Sequence, residues 1–190
     1  AKNIDEYLLI AKEIISKNFK EKPIVTMITN GLLLEKRKLK NLGFLDWIHI
    51  SVHSHIKENF EKIEQKAKFE DLVAGIKDIR TKYKDLNIHI EFVANKENKN
   101  DIEGFIPWAF NELKVDSLNI RRVSISSYAP RSYLEQSLKK NMLIGISDEE
   151  WNDVQFKISK SWPSKLSTTP SFNSEDQILK KQAMTDVIEL

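Results

Sequence analysis

Two short stretches of this chain place chemically able side chains at a regular spacing. In Trp47–His55 (WIHISVHSH), His49, Ser51, His53 and His55 alternate with Ile48, Ile50 and Val52, as on the two faces of a strand. In Asn87–Val93, Asn87, His89, Glu91 and Val93 alternate with Ile88, Ile90 and Phe92. Imidazole nitrogen and carboxylate oxygen are ligands for zinc, and a zinc-bound water is a nucleophile. One reading is therefore a metal-dependent barrel hydrolase using His49, His53, His55 and His89 with Glu91. The plainer reading makes His49 and His89 interior histidines bonded to carbonyls or water, and Ser51 a small inward residue. A third makes the barrel a binding module without catalysis.

Three other groups belong beside these. Thr29-Asn30-Gly31 closes an apolar run, Asn95 and Asn98 lie in the loop NKENKND, and Arg121-Arg122 ends another run. Arginine offers a planar fork to carboxylates. Each also has a structural reading: a strand-to-helix turn, an exposed loop, and one solvated plus one paired arginine.

Composition narrows the field. The chain has 190 residues, 41% hydrophobic and 31% charged, which suits one soluble domain with a sizeable core. It has no cysteine, so disulfides, thiolate metal sites and a cysteine nucleophile are excluded. Thirty basic and 28 acidic residues leave +2, without the concentrated basic face that nucleic acid requires. Interspersed charges such as Lys12, Glu13, Lys17 and Lys20 read as a solvated helix surface. No apolar run approaches the roughly 18 residues that a membrane helix needs, and no signal-peptide pattern is visible, so a cytoplasmic protein is expected. The chain opens on Ala1 directly into a helical pattern, which suggests a piece of a longer protein.

The elements that must position these groups follow from periodicity. Ile4–Phe19 carries Ile4, Tyr7, Leu8, Ala11, Ile14, Ile15 and Phe19 at helical spacing. Ile24–Thr29 reads as a short buried strand, and Leu32–Leu42 as a helix with Gly43 as its C-cap. The strand Trp47–His55 leads to a helical stretch over Phe60–Tyr83, broken near Ala67–Lys68. Asn87–Val93 is the third strand. Asp101 is placed to cap a helix over Ile102–Leu113 that contains Pro107. Ser117–Ser124 is the fourth strand, and Ser147 or Asp148 opens a helix that stops before Pro163. A tail rich in Ser, Thr and Pro then reaches a short helical end at Gln177–Ile188. Trp108, Trp151 and Trp162 read as packing residues.

Strand–helix alternation with long connections predicts parallel strands joined by right-handed crossovers. The expected fold is α/β, a partial (β/α) TIM-like barrel incomplete at its N-terminus. Residues 1–130 would form the barrel and 131–190 a helical extension and tail. The polar sides of the strands should line a lumen, bringing together His49, Ser51, His53, His89, Glu91 and one of Arg121 or Arg122. Sites in such barrels lie at strand C-termini, here Thr29–Gly31, Ser51–His55, Ala94–Asn98 and Ser124–Tyr128.

The order and spacing of Thr29-Asn30-Gly31, Ile50-Ser51-Val52-His53-Ser54 and Phe92-Val93-Ala94-Asn95-Lys96-Glu97-Asn98, followed by a helix from Asp101, resemble the radical S-adenosylmethionine (SAM) enzymes. The likeness covers about Ala1 to Ala129. It implies SAM as cofactor, with a [4Fe–4S] cluster held by a Cys-x3-Cys-x2-Cys loop. It also implies reductive cleavage of SAM to a 5′-deoxyadenosyl radical that abstracts hydrogen from a substrate. Ser51 would contact the amino-acid or ribose part of SAM, Asn98 or Asn95 the ribose or carboxylate, and Arg122 or Arg121 the carboxylate or substrate. Thr29, Asn30, Gly31 and His53 complete the implied cofactor-binding set. Ser126–Pro130 and the following helix are similar to members that modify peptides or proteins, so such a substrate is expected. The cysteine loop and the Gly-Gly-Glu strand of the family are missing here. The polypeptide alone is expected to be inactive.

Overall fold

A computed structural model describes residues 4–34, 39–65, 67–123 and 145–163. The expectations for Ser124–Tyr128, Ser126–Pro130, 131–144 and the tail beyond Pro163 lie outside the described residues, as do positions 35–38 of the second expected helix.

The elements are α1 (Ile4–Asn18), β1 (Thr26–Thr29), a 3-10 turn (Leu42–Phe44), β2 (Trp47–Ser51), α2 (Lys57–Ile63), α3 (Phe69–Lys82), β3 (Asn87–Ala94), α4 (Ile102–Asn111), β4 (Ser117–Arg122) and α5 (Asp148–Ser161). The strands form one sheet in the order β1-β2-β3-β4, and every pairing is parallel. The register aligns Ile28 with His49, His49 with His89, Ser51 with Glu91, Glu91 with Asn119 and Val93 with Arg121. This is the α/β, partial TIM-like barrel that the alternation predicts.

Period-two alternation divides the sheet. Ile48, Ile50, Ile88, Ile90, Phe92, Leu118 and Ile120 point into one hydrophobic core with Leu72, Ile76, Phe105 and Ile106 from the helices. Each such side chain contributes roughly 1.5–3 kcal/mol by leaving water. Ile146, Val154 and Ile158 join the same core, which seats α5 on the barrel helices.

Several local expectations need correction. Gly43 is inside the 3-10 turn and caps no helix. β1 starts at Thr26, and it is not buried: as a sheet edge it leaves Ile28 68% exposed. The apolar residues of α1 are mostly uncovered, with only Leu8 and Ile15 buried and Tyr7, Ile10 and Ile14 exposed. Asp101 precedes α4 but gives it no side-chain cap. The helix expected over Ile102–Leu113 does run through Pro107 and is not delayed by it, because a proline removes only one ladder bond while Phe105, Ile106 and Ala109 stay buried. The break between α2 and α3, and Ser147 as the cap of α5, stand as expected. Ser147 and Glu150 form a reciprocal capping box.

Candidate functional site

The polar phase of the alternation gathers on the sheet face opposite the core. One row is His49, His89 and Ser117, with Trp47 alongside. The two imidazoles lie with centroids 4.5 Å apart, and Trp47 meets His49 edge-on at 6.2 Å. His89 Nδ1 and Ser117 Oγ share a 2.7 Å hydrogen bond. Burial, helped by His89, pushes His49 down to about 4, so it is neutral near pH 7 and offers a ring-nitrogen lone pair as a hydrogen-bond acceptor.

The next row is Ser51, Glu91 and Asn119. Asn119 donates to Glu91 Oε2 at 2.8 Å, and Arg121 Nε pairs with Glu91 Oε1. Burial alone would raise the Glu91 carboxyl. His89, Asn119 and Arg121 outweigh that and hold it below the usual carboxylate range. Glu91 is therefore an anion fixed from both sides, and it orients Arg121, whose side chain remains 52% exposed. Ser51 is half-buried beside it.

At the strand ends the backbone is shaped by side chains. Val93 N–H donates to His53 Nδ1 at 3.3 Å, which puts the ring proton on Nε2, facing Glu64 Oε1 at 3.5 Å. Burial lowers the His53 pKa, against the opposing pull of Glu64. Asn98 is fully buried. Its amide donates to His53 O at 2.8 Å and Val93 O at 3.0 Å, and its Oδ1 accepts from Asn95 N–H at 2.8 Å. Asn95 Oδ1 in turn accepts from Glu97 N–H. Thr29 Oγ1 accepts from Gly31 N–H and Asn30 Oδ1 from Leu32 N–H. Gly31 has φ +74°, and a Cβ there would sit 2.5 Å from Leu72 Cδ1.

The structure thus brings His49, Ser51, His89, Glu91 and Arg121 onto one surface, with His53 at its rim. Arg122 falls in the opposite phase, beside Leu118 and Ile120, where it pairs with Asp148 and donates to Ile146 O. His55 leaves the polar face altogether. Its ring lies 6.4 Å from Phe105 and 6.2 Å from Trp108, against Gly104, where a Cβ would be 2.5 Å from Nε2. The four histidines of the zinc reading are therefore not gathered, and among the described residues no three His, Asp or Glu side chains are placed to share a metal ion. Sequence reasoning missed Ser117, Asn119 and Trp47. Their parity was the available signal, since Leu118 and Ile120 fix the phase of β4 as Ile48 and Ile50 fix that of β2.

No protein-family model matches the chain. Curated relatives do. A protein of Sulfurisphaera tokodaii named "Probable GTP 3′,8-cyclase" is 33% identical over 118 residues, 60% of this chain and 36% of that protein. One from Saccharolobus islandicus is 34% identical over 91 residues, 46% of this chain and 28% of its own length. The solved structure of TYW1 with a lysine-pyruvate adduct bound superposes with a TM-score of 0.50 at 12% identity. It covers 79% of this chain and 45% of that one. The chain is related to the radical SAM superfamily. It spans about a third of the length of the curated relatives it matches.

The cofactors of that superfamily can be set against the residues present. An iron–sulfur cluster needs thiolates, and these 190 residues include no cysteine, so they do not fit the cluster. SAM fits better: its ammonium, carboxylate and ribose hydroxyls call for short polar side chains, a guanidinium and backbone groups at strand ends. Ser51, the Glu91-anchored Arg121 and the turns after β1 and β3 provide them.

Proposed function

We propose that this chain forms the SAM-binding half of a radical enzyme barrel, the cluster being held by cysteines outside these 190 residues. The observation that carries the reading is the coincidence of two things. A row of polar residues, Ser51, Glu91 and Asn119, crosses β2, β3 and β4, and the motifs that carry the resemblance lie at the ends of β1, β2 and β3 beside it. The cofactor, when bound, supplies a carbon radical that takes hydrogen from the substrate. The chain's own part is to orient and to exclude water. Ser51 contacts the amino-acid or ribose portion, and Arg121, held by Glu91, presents its free N–H groups to the carboxylate. Thr29, Asn30, Gly31, His53 and Asn98 act by shaping the turns whose backbone faces the ligand. Arg122 acts indirectly, by tying α5 to the end of β4.

A peptide or protein substrate is one option. The activity for which the similar proteins are named, cyclisation of GTP, favours a nucleotide instead. Anaerobic assay of the complete, cluster-loaded protein tests the cofactor site. Ser51→Trp should abolish SAM binding and 5′-deoxyadenosine release while leaving the melting temperature within a few degrees. Unchanged SAM affinity in that variant would remove Ser51 from the site.

A further inference from the structure

A second candidate site lies at the other end of the sheet. The connections that lead into β1 and β2 meet α1 around a cavity of about 350 Å³ lined by Lys12, Lys22, Lys40, Asn41, Gly43 and Phe44. That volume is within the range of small-molecule sites.

Lys17, Lys57, Lys62, Lys77, Lys82, Lys99 and Lys157 each pair with a carboxylate. Among the cavity lysines only Lys22 does, with Asp46 at 2.8 Å. Lys12 and Lys40 have no carboxylate partner among the described residues. Lys20, Lys68, Lys84, Lys96, Lys114 and Lys160 also lack one there, so what sets Lys12 and Lys40 apart is that they line one cavity together with Lys22. The carboxylates bonded to the cavity's rim are already engaged by backbone. Asp46 Oδ2 accepts Val25 N–H at 2.8 Å, and Asp5 Oδ1 accepts the N–H groups of Lys40 and Asn41 at 2.9 and 3.2 Å. The bonds from Asp5 also fix the backbone that carries Lys40 against α1, which carries Lys12.

Like charges gathered around a concavity focus their field into it, and an ammonium is a point-charge partner for phosphate. We propose that this cavity binds a small phosphate-bearing anion, with Lys12 and Lys40 as its principal cations, Lys22 as a third, and Phe44 and Gly43 as an uncharged wall. The site shares no residue with the strand C-terminal ends, so it stands or falls independently of the cofactor reading.

The test is a titration of the chain with inorganic pyrophosphate and, separately, ADP, followed by isothermal calorimetry and by amide chemical shifts. Saturable one-to-one binding is expected, with shifts centred on residues 40–44. Lys12→Ala/Lys40→Ala should weaken it about tenfold or more, the scale of losing charged hydrogen bonds. Lys77→Ala/Lys160→Ala, which removes the same charge on α3 and α5, should leave it within about twofold. Equal affinity for both ligands would show that the diphosphate alone is read, and tighter ADP binding that the nucleoside meets the Phe44 wall. Absence of saturable binding of either ligand, or equal weakening by the two double variants, would overturn the proposal.

Discussion

Gly31 and His49 show how single positions carry the account. At Gly31 a side chain would have to adopt a left-handed backbone and enter space held by Leu72 and Ile50. Gly31→Ala should cost about 2–4 kcal/mol, the sum of a left-handed penalty and local overpacking, read by urea denaturation. A loss under about 0.5 kcal/mol would mean that the turn relaxes freely. His49 makes a pH prediction. Its folded-state pKa, about 4, lies below the unfolded value of about 6.5, so between these the unfolded chain binds more protons. Its contribution is therefore complete above about pH 6.5, declines as pH falls, and is gone below about 4. The half-exposed ring limits this to the order of 1–2 kcal/mol. His53 and His55 shift in the same direction, so His49→Gln should reduce the acid slope without abolishing it. A slope unchanged in that variant would contradict the burial of the His49–His89 pair. The sequence alternation revealed His49 as an inward residue, but its neutrality depends on the distance to His89, which no spacing reports.

Between elements, the polar ties at the strand ends matter most. Asp101 accepts from Ser54 Oγ at 2.5 Å and from Asn59 Nδ2 at 3.0 and 3.1 Å. It thereby joins α4, α2 and the turn after β2 in a buried setting. Asp101→Ala would take the acceptor from both Ser54 and Asn59, leaving buried Ser54 only its local bonds to Ile56, and should cost about 2–4 kcal/mol. Lys57→Ala, which removes an exposed pair with Glu70, should cost less than about 0.5 kcal/mol. Comparable losses for the two would show that the Asp101 network is not buried in solution. An aspartate just before a helix reads as a cap, which is why sequence reasoning gave Asp101 that role. Its real partners are 42 and 47 residues away, and only tertiary structure supplies them. Asn98 is a similar case, legible as a loop residue but not as the clamp between β2 and β3. Parallel pairing was more accessible, because long crossovers exclude hairpins. Arg121 was accessible too, by parity with Asn119.

For the whole molecule, the exposed edge and the half-covered α1 have a consequence. β1 is one of the two outer strands of the described sheet and leaves Ile28 uncovered, and Ile24 before it and Tyr7, Ile10 and Ile14 on α1 are exposed as well. Such an edge is a template for association. The isolated chain should sediment with concentration-dependent mass in analytical ultracentrifugation, and Ile28→Lys should reduce this while changing monomer stability by less than about 0.5 kcal/mol. Monomeric behaviour at all concentrations would show that the edge is protected. The larger claim is that the hydrophilic face and the turns at the strand C-termini accept SAM. Nitrogen-15 amide spectra of the chain titrated with SAM test it most directly, because they detect weak binding residue by residue. The account predicts saturating shifts at Gly31, Ser51, His53 and Asn98, with the helix-packed residues unmoved. Saturation without any change at those four amides, or no saturable change at all, would contradict it.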